Sequence, residues 1–238
     1  MYFTQEAKIF NSSAIVKKEP LQGNNLNYIS LHVKDALLEG LHVKNNSDTL
    51  LLYFGGNADD ATQFPSFIPD LHVDMIMFNY RGYVKSTGSP SQDALFSDAL
   101  KIYDTYALTY NQVIIVGRSL GTAVASYLSS QRKANLTIFI TPFDSMESLA
   151  MANHPWLPVK ILLKHPFYSK KYIASVKHSI SIMEVDKDSV TPKVHLESFM
   201  QNIINLKEHY VFYNTTHGKV LEHPEFSKVF QKMIKDFI

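Results

Sequence analysis

Short runs of uninterrupted apolar residues alternate with segments of helical periodicity along most of the chain. Runs of this kind are typical of strands that are covered on both faces, as in a parallel sheet. Strands are predicted at Thr49–Phe54, Met75–Phe78, Val113–Val116, Leu136–Ile140, Ser181–Val185 and His209–Tyr213. Helices are predicted at Ser91–Leu108, Leu120–Ser130, Lys193–Ile204 and Pro224–Phe237. The alternation predicts an α/β fold with a doubly wound, mostly parallel sheet.

Two further strands are predicted near the N-terminus, where apolar and polar positions alternate. They cover Tyr28–Lys34 and Leu37–Lys44, and a short connection around Asp35 joins them. Alternation with a period of two indicates strands with one exposed face, as in an antiparallel pair at a sheet edge. The chain is therefore expected to form about eight strands in a single domain, residues 1–238.

The segment 143–178 interrupts the alternation of strands and helices. It contains Pro155, Pro158 and Pro166 and the chain's only tryptophan, Trp156. A long insertion in an open α/β sheet either covers the functional site or is a tolerated surface excursion, and the pattern alone does not decide between them.

Composition excludes several classes of function. There are 23 lysines and arginines against 22 acidic residues, which argues against a nucleic-acid partner. The chain has no cysteine, so thiolate catalysis and disulfides are excluded. No apolar run is long enough for a transmembrane segment, and the first residues lack the pattern of a signal peptide. We expect a cytoplasmic protein that needs no cofactor and no metal; its oligomeric state is not indicated.

The strongest chemical signal is a Gly-x-Ser-x-Gly motif at Gly117–Gly121, directly after a predicted buried strand and before a predicted helix. In this context the serine occupies a sharp, strained turn, and glycines two positions away avoid a clash. The turn would expose the Ser119 hydroxyl at the N-terminal end of the helix. The alternative is an ordinary glycine-bracketed turn with a surface serine.

A serine nucleophile needs a base, and in this topology an acid and then a histidine follow it along the chain. His217 follows the last predicted strand, and Asp186 and Asp188 share the loop after the strand before it. Position favours His217 among the ten histidines as the base. Either aspartate could orient it by position alone.

Tetrahedral intermediates also need hydrogen-bond donors where negative charge develops. One expected donor is the backbone N–H of Leu120, the residue after the serine. The second is expected from the loop after the strand Thr49–Phe54, where the sequence reads Gly-Gly-Asn-Ala and Asn57 N–H is the first choice. A plain glycine turn is the alternative reading of that loop.

Taken together, these motifs resemble the α/β-hydrolase superfamily, most closely its small esterases and acyl-thioesterases, which include depalmitoylating enzymes. The resemblance covers the chain from about Tyr28 and rests on five segments: 54–58, 79–90, 117–121, 188–192 and 217–218. It implies that Ser119 is the nucleophile, Asp188 the acid, His217 the base, and 143–178 a small cap. It also implies a structural role for Arg81. Gly55 stands where the family usually has histidine, and Thr216 where glycine is common.

The substrate class is indicated only by the cap. Its apolar residues include three candidate substrate-binding side chains, Trp156, Leu162 and Leu163, and its lysines include Lys160 and Lys164. One interpretation is a lid for an acyl chain, with lysines near an anionic head group or a lipid surface, which would allow peripheral membrane contact. The other is a short helix that packs on the sheet with its lysines in water.

The expected function is a serine hydrolase acting on a carboxylic ester or thioester of a small or lipid-like acyl substrate. The motif also fits a peptidase or amidase that uses the same three residues, because the scissile bond is not fixed by them. A catalytically inactive binding protein on the same fold is the third interpretation.

Overall fold

An eight-stranded sheet forms the centre of the computed structural model, which describes residues 5–238. The strands are β1 Leu26–Val33, β2 Ala36–Val43, β3 Thr49–Phe54, β4 Asp74–Phe78, β5 Gln112–Arg118, β6 Leu136–Ile140, β7 Ser179–Lys187 and β8 Leu206–Thr216. Their order across the sheet is β1-β2-β4-β3-β5-β6-β7-β8. β2 runs antiparallel to both neighbours, and all other neighbouring pairs are parallel. The predicted fold class is confirmed.

Helices precede, separate and follow the strands. They are α1 Gln5–Ile9, α2 Gln92–Tyr106, α3 Leu120–Gln131, α4 Met146–Asn153, α5 Val159–Leu162, α6 Ser169–Ile173, α7 Lys193–Met200 and α8 Phe226–Lys235. Short 3₁₀ segments cover Ser12–Ala14, Ala61–Phe67, Ala107–Thr109 and His217–Glu222. Within the described part of the chain, no helix combines the length and the apolar character that crossing a membrane requires.

The bounds of a predicted helix and of a predicted strand differ from the structure for physical reasons. α7 ends at Met200 rather than Ile204, because the chain tightens into turns that hydrogen-bond Asn202 to Phe199 and Ile203 to Met200. β8 extends beyond the predicted His209–Tyr213 at both ends. It is an edge strand whose additional residues are mostly polar and exposed, so its apolar pattern is shorter than its hydrogen-bonded ladder.

The core consists of two apolar layers, one on each face of the sheet. Along β3, Leu50 and Leu52 belong to the layer that contains buried residues of α2 and α3. Leu51 and Tyr53 belong to the opposite layer, which contains buried residues of α8. Successive side chains of a strand point to opposite faces, so a central strand covered on both sides must be apolar throughout. This is the origin of the uninterrupted apolar runs.

A buried ion pair fixes the loop after β4 to α2. Arg81 donates two parallel hydrogen bonds to Asp98, with Nε–Oδ2 and Nη2–Oδ1 distances of 2.7 and 2.8 Å. The two side chains are only 6 and 7% exposed. Arg81 therefore has the structural role that the sequence resemblance implied.

Replacing Asp98 by alanine should lower the free energy of unfolding by about 3–5 kcal/mol, because it leaves a buried guanidinium without its partner. The matched control is Asp104→Ala. Asp104 accepts two bonds of the same lengths from Arg132, but those side chains are 43 and 33% exposed. Loss of that exposed pair should cost under about 1 kcal/mol. Equal losses of unfolding free energy in the two variants, measured by urea denaturation, would contradict the prediction.

Candidate active site

Four loops meet at the carboxyl ends of neighbouring parallel strands. Ser119 directly follows β5, Asp188 follows β7, and His217 follows β8. The loop 55–58 follows β3, the neighbour of β5. This edge is where open α/β sheets place their ligand-binding groups. Side chains about 100 positions apart in the sequence are thereby brought together.

Ser119 occupies a strained turn between β5 and α3. Its backbone has φ 50° and ψ −117°, a conformation that non-glycine residues rarely adopt. The turn is held by Ser119 N–H, which donates to the carbonyl of Ile140 at 2.9 Å, and by the carbonyl of Ser119, which accepts from Thr122 N–H at 2.8 Å. The strain leaves the hydroxyl at the sheet edge rather than in the core.

The two glycines of the motif are required by close backbone approach. A Cβ on Gly121 would lie 2.6 Å from the carbonyl oxygen of Gly55, and one on Gly117 would lie 2.7 Å from the Cβ of Ala125. Both distances are far shorter than van der Waals contact. The alternative of an ordinary turn with a surface serine does not account for this crowding.

A continuous chain of hydrogen bonds joins the three predicted side chains. His217 Nε2 lies 2.7 Å from Ser119 Oγ, and His217 Nδ1 lies 2.8 Å from Asp188 Oδ2. His217 is buried. With the ring proton on Nδ1, the imidazole donates to the carboxylate and accepts from the serine hydroxyl. Asp186 was expected in the same loop, but it lies inside β7, because that strand extends to Lys187, and its side chain is exposed.

Asp188 is held as a carboxylate by several donors. Its Oδ1 accepts from the N–H groups of Val190 and Thr191 at 2.9 and 2.7 Å, and its Oδ2 accepts from the Thr191 hydroxyl at 2.7 Å. Burial alone would raise the pKa of Asp188. The hydrogen bonds and charge of His217, together with the Thr191 bonds, outweigh burial and lower the pKa. The carboxylate is therefore ionised at neutral pH and can orient the imidazole.

Two backbone donors lie beside the serine. Asn57 and Leu120 line the same cavity as Ser119 and His217. Among the described residues, neither of their N–H groups has a hydrogen-bond acceptor. A side chain on Gly56 would come within 3.5 Å of the Ser119 Cβ, so the loop passes close to the serine. These free donors can bind an anionic oxygen.

The loop that carries Asn57 is held by hydrogen bonds from and to side chains. Tyr80 donates its hydroxyl hydrogen bond to the carbonyl of Gly55 at 2.9 Å, and Tyr83 donates to the carbonyl of Asn57 at 3.0 Å. Gly56 N–H donates to Asp59 Oδ2 at 2.7 Å. Glycine at position 55 therefore leaves the loop well anchored.

Arg118 and Asp59 connect this loop to the histidine. Arg118 Nη1 donates to Asp59 Oδ1, and its Nη2 lies 3.2 and 3.3 Å from the carbonyl oxygens of His217 and Gly218. Arg118 is buried. One guanidinium thus ties three segments together: the loop after β3, the turn after β5 and the loop after β8. Sequence reasoning did not identify this pair, although a charged residue between a buried strand and a helix was a usable signal.

A cavity of about 550 Å³ opens beside Ser119. Its wall is largely apolar, with side chains from α1, from the loops and from the cap: Ile9, Phe143, Met146, Leu149, Leu163 and Val190. Of the three candidate substrate-binding residues, Leu163 lines this cavity. Leu162 and Trp156 do not, and the Trp156 side chain is largely exposed to solvent.

The N-terminal segment forms part of that wall, although its sequence is polar and irregular. Gln5 donates to the carbonyl of Leu162 at 3.0 Å and accepts from Lys164 N–H at 2.8 Å. The Lys8 carbonyl accepts from the side chain of Asn57 at 3.3 Å. α1 therefore bridges the cap and the loop beside the serine.

Comparison with known proteins identifies the fold. No protein-family model matches the chain. An uncharacterized protein of Mycobacterium tuberculosis is 29% identical over 158 residues, which cover 63% of this chain and 56% of that protein. The lysophosphatidylserine lipase of Xenopus tropicalis is 32% identical over 126 residues, 48% of this chain and 32% of the lipase. The chain thus spans less than two thirds of the length of these curated relatives.

Solved structures cover nearly all of the chain. The Pyrococcus furiosus esterase Pf2001 superposes with a TM-score of 0.68 at 16% identity, covering 93% of this chain and 99% of the esterase. Est1E of Butyrivibrio proteoclasticus, solved with ferulic acid bound, gives a TM-score of 0.69 at 13% identity, covering 88% and 97%. At these identities the likeness concerns the fold alone, which is the α/β-hydrolase fold.

The crowding around the serine turn predicts a large difference between two glycines of the site. Gly121→Ala should lower the free energy of unfolding by about 1–3 kcal/mol or more, because the new methyl group would overlap backbone carbonyls. Gly218→Ala is the control, since nothing lies within 4 Å of its Cβ position. That change should stay within about 0.5 kcal/mol in urea unfolding. A neutral Gly121→Ala would show that the turn is more loosely packed than described.

Proposed function

We propose that this chain is a serine hydrolase that cleaves a carboxylic ester or thioester through an acyl-enzyme on Ser119. The observation that carries the proposal is the hydrogen-bonded series Ser119, His217 and Asp188, with distances of 2.7 and 2.8 Å. A serine hydroxyl that contacts a buried imidazole, itself oriented by a carboxylate, is the arrangement that activates the hydroxyl for attack.

In the acylation step, Ser119 Oγ attacks the carbonyl carbon of the substrate while His217 Nε2 accepts its proton. The tetrahedral intermediate collapses, the bond to the alcohol or thiol breaks, and His217 returns the proton to that leaving group. In deacylation, water attacks the acyl-enzyme and gives a proton to His217, which returns it to Ser119 as the carboxylic acid leaves. Asp188 holds the ring and stabilises the imidazolium that forms in each step.

The negative charge of both intermediates would fall on an oxygen near the N–H groups of Asn57 and Leu120. Hydrogen-bond donors that are already in position before the reaction stabilise this charge most strongly, because they need no reorganisation during the step. The bonds from Tyr80 and Tyr83 to the loop support such preorganisation, because they fix the carbonyls on either side of Gly56. We assign these two N–H groups as the oxyanion hole.

The substrate class is an acyl compound with a substantial apolar part. The support is the apolar wall of the cavity next to Ser119, to which Leu163 of the cap contributes. Residues 143–178 would then act as a small cap within a single α/β-hydrolase domain. The names of the similar proteins agree with this class, since they include a lysophosphatidylserine lipase and an esterase. Acyl-thioesters, as in the depalmitoylating branch, remain in the proposed range.

Ser119→Ala should lower kcat by about 10⁴–10⁶-fold on the best substrate of a panel of p-nitrophenyl esters, acyl-thioesters and anilides. It should also abolish covalent labelling by a fluorophosphonate probe. Ser189→Ala is the control, because Ser189 is an exposed serine next to Asp188. Preference for anilides would indicate an amidase. Labelling that persists in Ser119→Ala, or a wild type that is neither labelled nor active, would overturn the proposal.

Arg118→Met should lower kcat by about 10²-fold with KM within about threefold, because the carbonyl of His217 loses a donor and small displacements of a catalytic group are costly. Arg81→Met is the matched control. It also breaks a buried arginine–aspartate pair, but Arg81 does not line the cavity.

Both arginine variants should lose stability, so kcat is normalised to the active enzyme counted with the fluorophosphonate probe. Addition of guanidinium at millimolar concentration should partly restore Arg118→Ala but not Arg81→Ala. A normalised kcat that is equal in the two methionine variants would limit Arg118 to a role in stability.

A further inference from the structure

The two most exposed large apolar residues of the described chain lie on the cap, each two positions away from a residue that lines the cavity. Ile161 and Trp156 are 82 and 76% exposed, and Met151 in α4 is 41% exposed. Their chain neighbours Ala150, His154 and Leu163 line the cavity. The Trp156 ring also contacts the ring of His154, with centroids 6.0 Å apart. Exposed apolar side chains therefore adjoin the cap residues that line the cavity.

Packing of the cap does not account for this exposure. A helix that only covers a sheet turns its apolar residues inward. In α5, Val159 is buried, whereas Ile161 faces solvent. Val190, on the opposite loop, also lines the cavity and is exposed. Within the described part of the chain, Ile161 and Val190 thus remain largely open to solvent.

Lysines outnumber acidic side chains around these residues. The segment 159–164 contains Lys160, which is exposed, and Lys164, which pairs with Glu6 of α1 at 3.1 Å, and it has no acidic residue of its own. Among the described residues that line the cavity, Asp59 is the one carboxylate, and Arg118 pairs with it. Lys8 of α1 adds an exposed cation to the lining. Apolar side chains next to an excess of lysines match an anionic lipid surface, where the lysines meet head groups and the apolar groups enter the acyl boundary.

A protein partner fits the same surface less well. Lysine is depleted from the cores of protein–protein interfaces, yet Lys160 lies directly next to Ile161 in α5 and is exposed. Tryptophan and lysine together are instead enriched where proteins meet membrane interfaces.

We propose that Met151, Trp156, Ile161 and Lys160, here called the cap rim, dock the protein onto the surface of an anionic lipid bilayer. The contact is peripheral and reversible, with Trp156 and Ile161 inserted at the level of the head groups. Docked in this way, the cavity entrance faces the bilayer. That acyl substrates enter directly from the lipid rests on the proposed hydrolase function; docking itself does not.

Trp156 is the chain's only tryptophan, so its fluorescence reports on the cap rim alone. The wild-type protein is titrated with vesicles of phosphatidylcholine containing phosphatidylglycerol, and with vesicles of pure phosphatidylcholine. We expect a blue shift of emission and quenching by brominated acyl chains with the anionic vesicles, both weakened by added salt. Neutral vesicles should give much weaker binding.

Ile161→Asp should weaken vesicle binding by about tenfold or more, since a charge replaces an inserted apolar side chain. Lys160→Ala should weaken it by about fivefold. The controls are Leu108→Asp and Lys101→Ala, which alter an exposed leucine and an exposed lysine near the opposite edge of the sheet. Both controls should bind like the wild type. Turnover of a soluble short-chain ester should be unchanged in Ile161→Asp, because Ile161 does not line the cavity.

Three results would overturn the proposal: no spectral change with anionic vesicles, equal binding to neutral vesicles, or equal binding by Ile161→Asp. If the emission shifts to the blue with increasing protein concentration in the absence of vesicles, and sedimentation shows a dimer, the cap rim binds a second copy of the chain instead of a bilayer. Ser119→Ala should bind vesicles like the wild type. Failure of hydrolysis and failure of docking are therefore separate outcomes.

Discussion

The close approach of the turn at Ser119 to the end of β3 is the constraint on which the site depends. Gly121 packs against the carbonyls of Phe54 and Gly55, so the helix that follows the serine and the loop that carries Asn57 meet at backbone contact. A methyl group at position 121 would separate them. The same contact that forces glycine into the motif therefore sets the distance between the serine and the N–H groups of Asn57 and Leu120, and links the proposed nucleophile to the proposed oxyanion hole.

Arg118 and Asp59 extend this constraint to the histidine. An arginine–aspartate pair taken out of water gains little net stability, because desolvation offsets most of the attraction. The Arg118–Asp59 pair instead holds neighbouring loops in a fixed arrangement. One guanidinium contacts a carboxylate that also binds Gly56 N–H, and the carbonyls of His217 and Gly218. Loss of either partner would leave a buried charge and free two loops at once, so the pair makes their relative positions interdependent.

The fold and the centre of the site could be predicted because they follow from short sequence patterns. Uninterrupted apolar runs arise when a central strand is covered on both faces, as β3 and β5 are, and the glycines around Ser119 arise from a local clash. Once strand order along the chain is known, the carboxyl ends of β5, β7 and β8 must share one edge. The choice of Asp188 over Asp186 needed the resemblance to a family, since their positions alone did not separate them.

What could not be predicted depends on contacts between distant, weakly patterned segments. Gln5 joins the carbonyl of Leu162 and the N–H of Lys164 across more than 150 residues, and neither segment has a periodicity that indicates the other. The positions of two consecutive leucines of the cap also depend on contact with a distant segment. Leu163 lines the cavity and Leu162 does not, because α5 ends at Leu162 and the backbone turns there toward the paired Gln5. In the proposed hydrolase, substrate selection would therefore depend on the segments whose sequences carry the least local information, while the reaction itself would depend on those that carry the most.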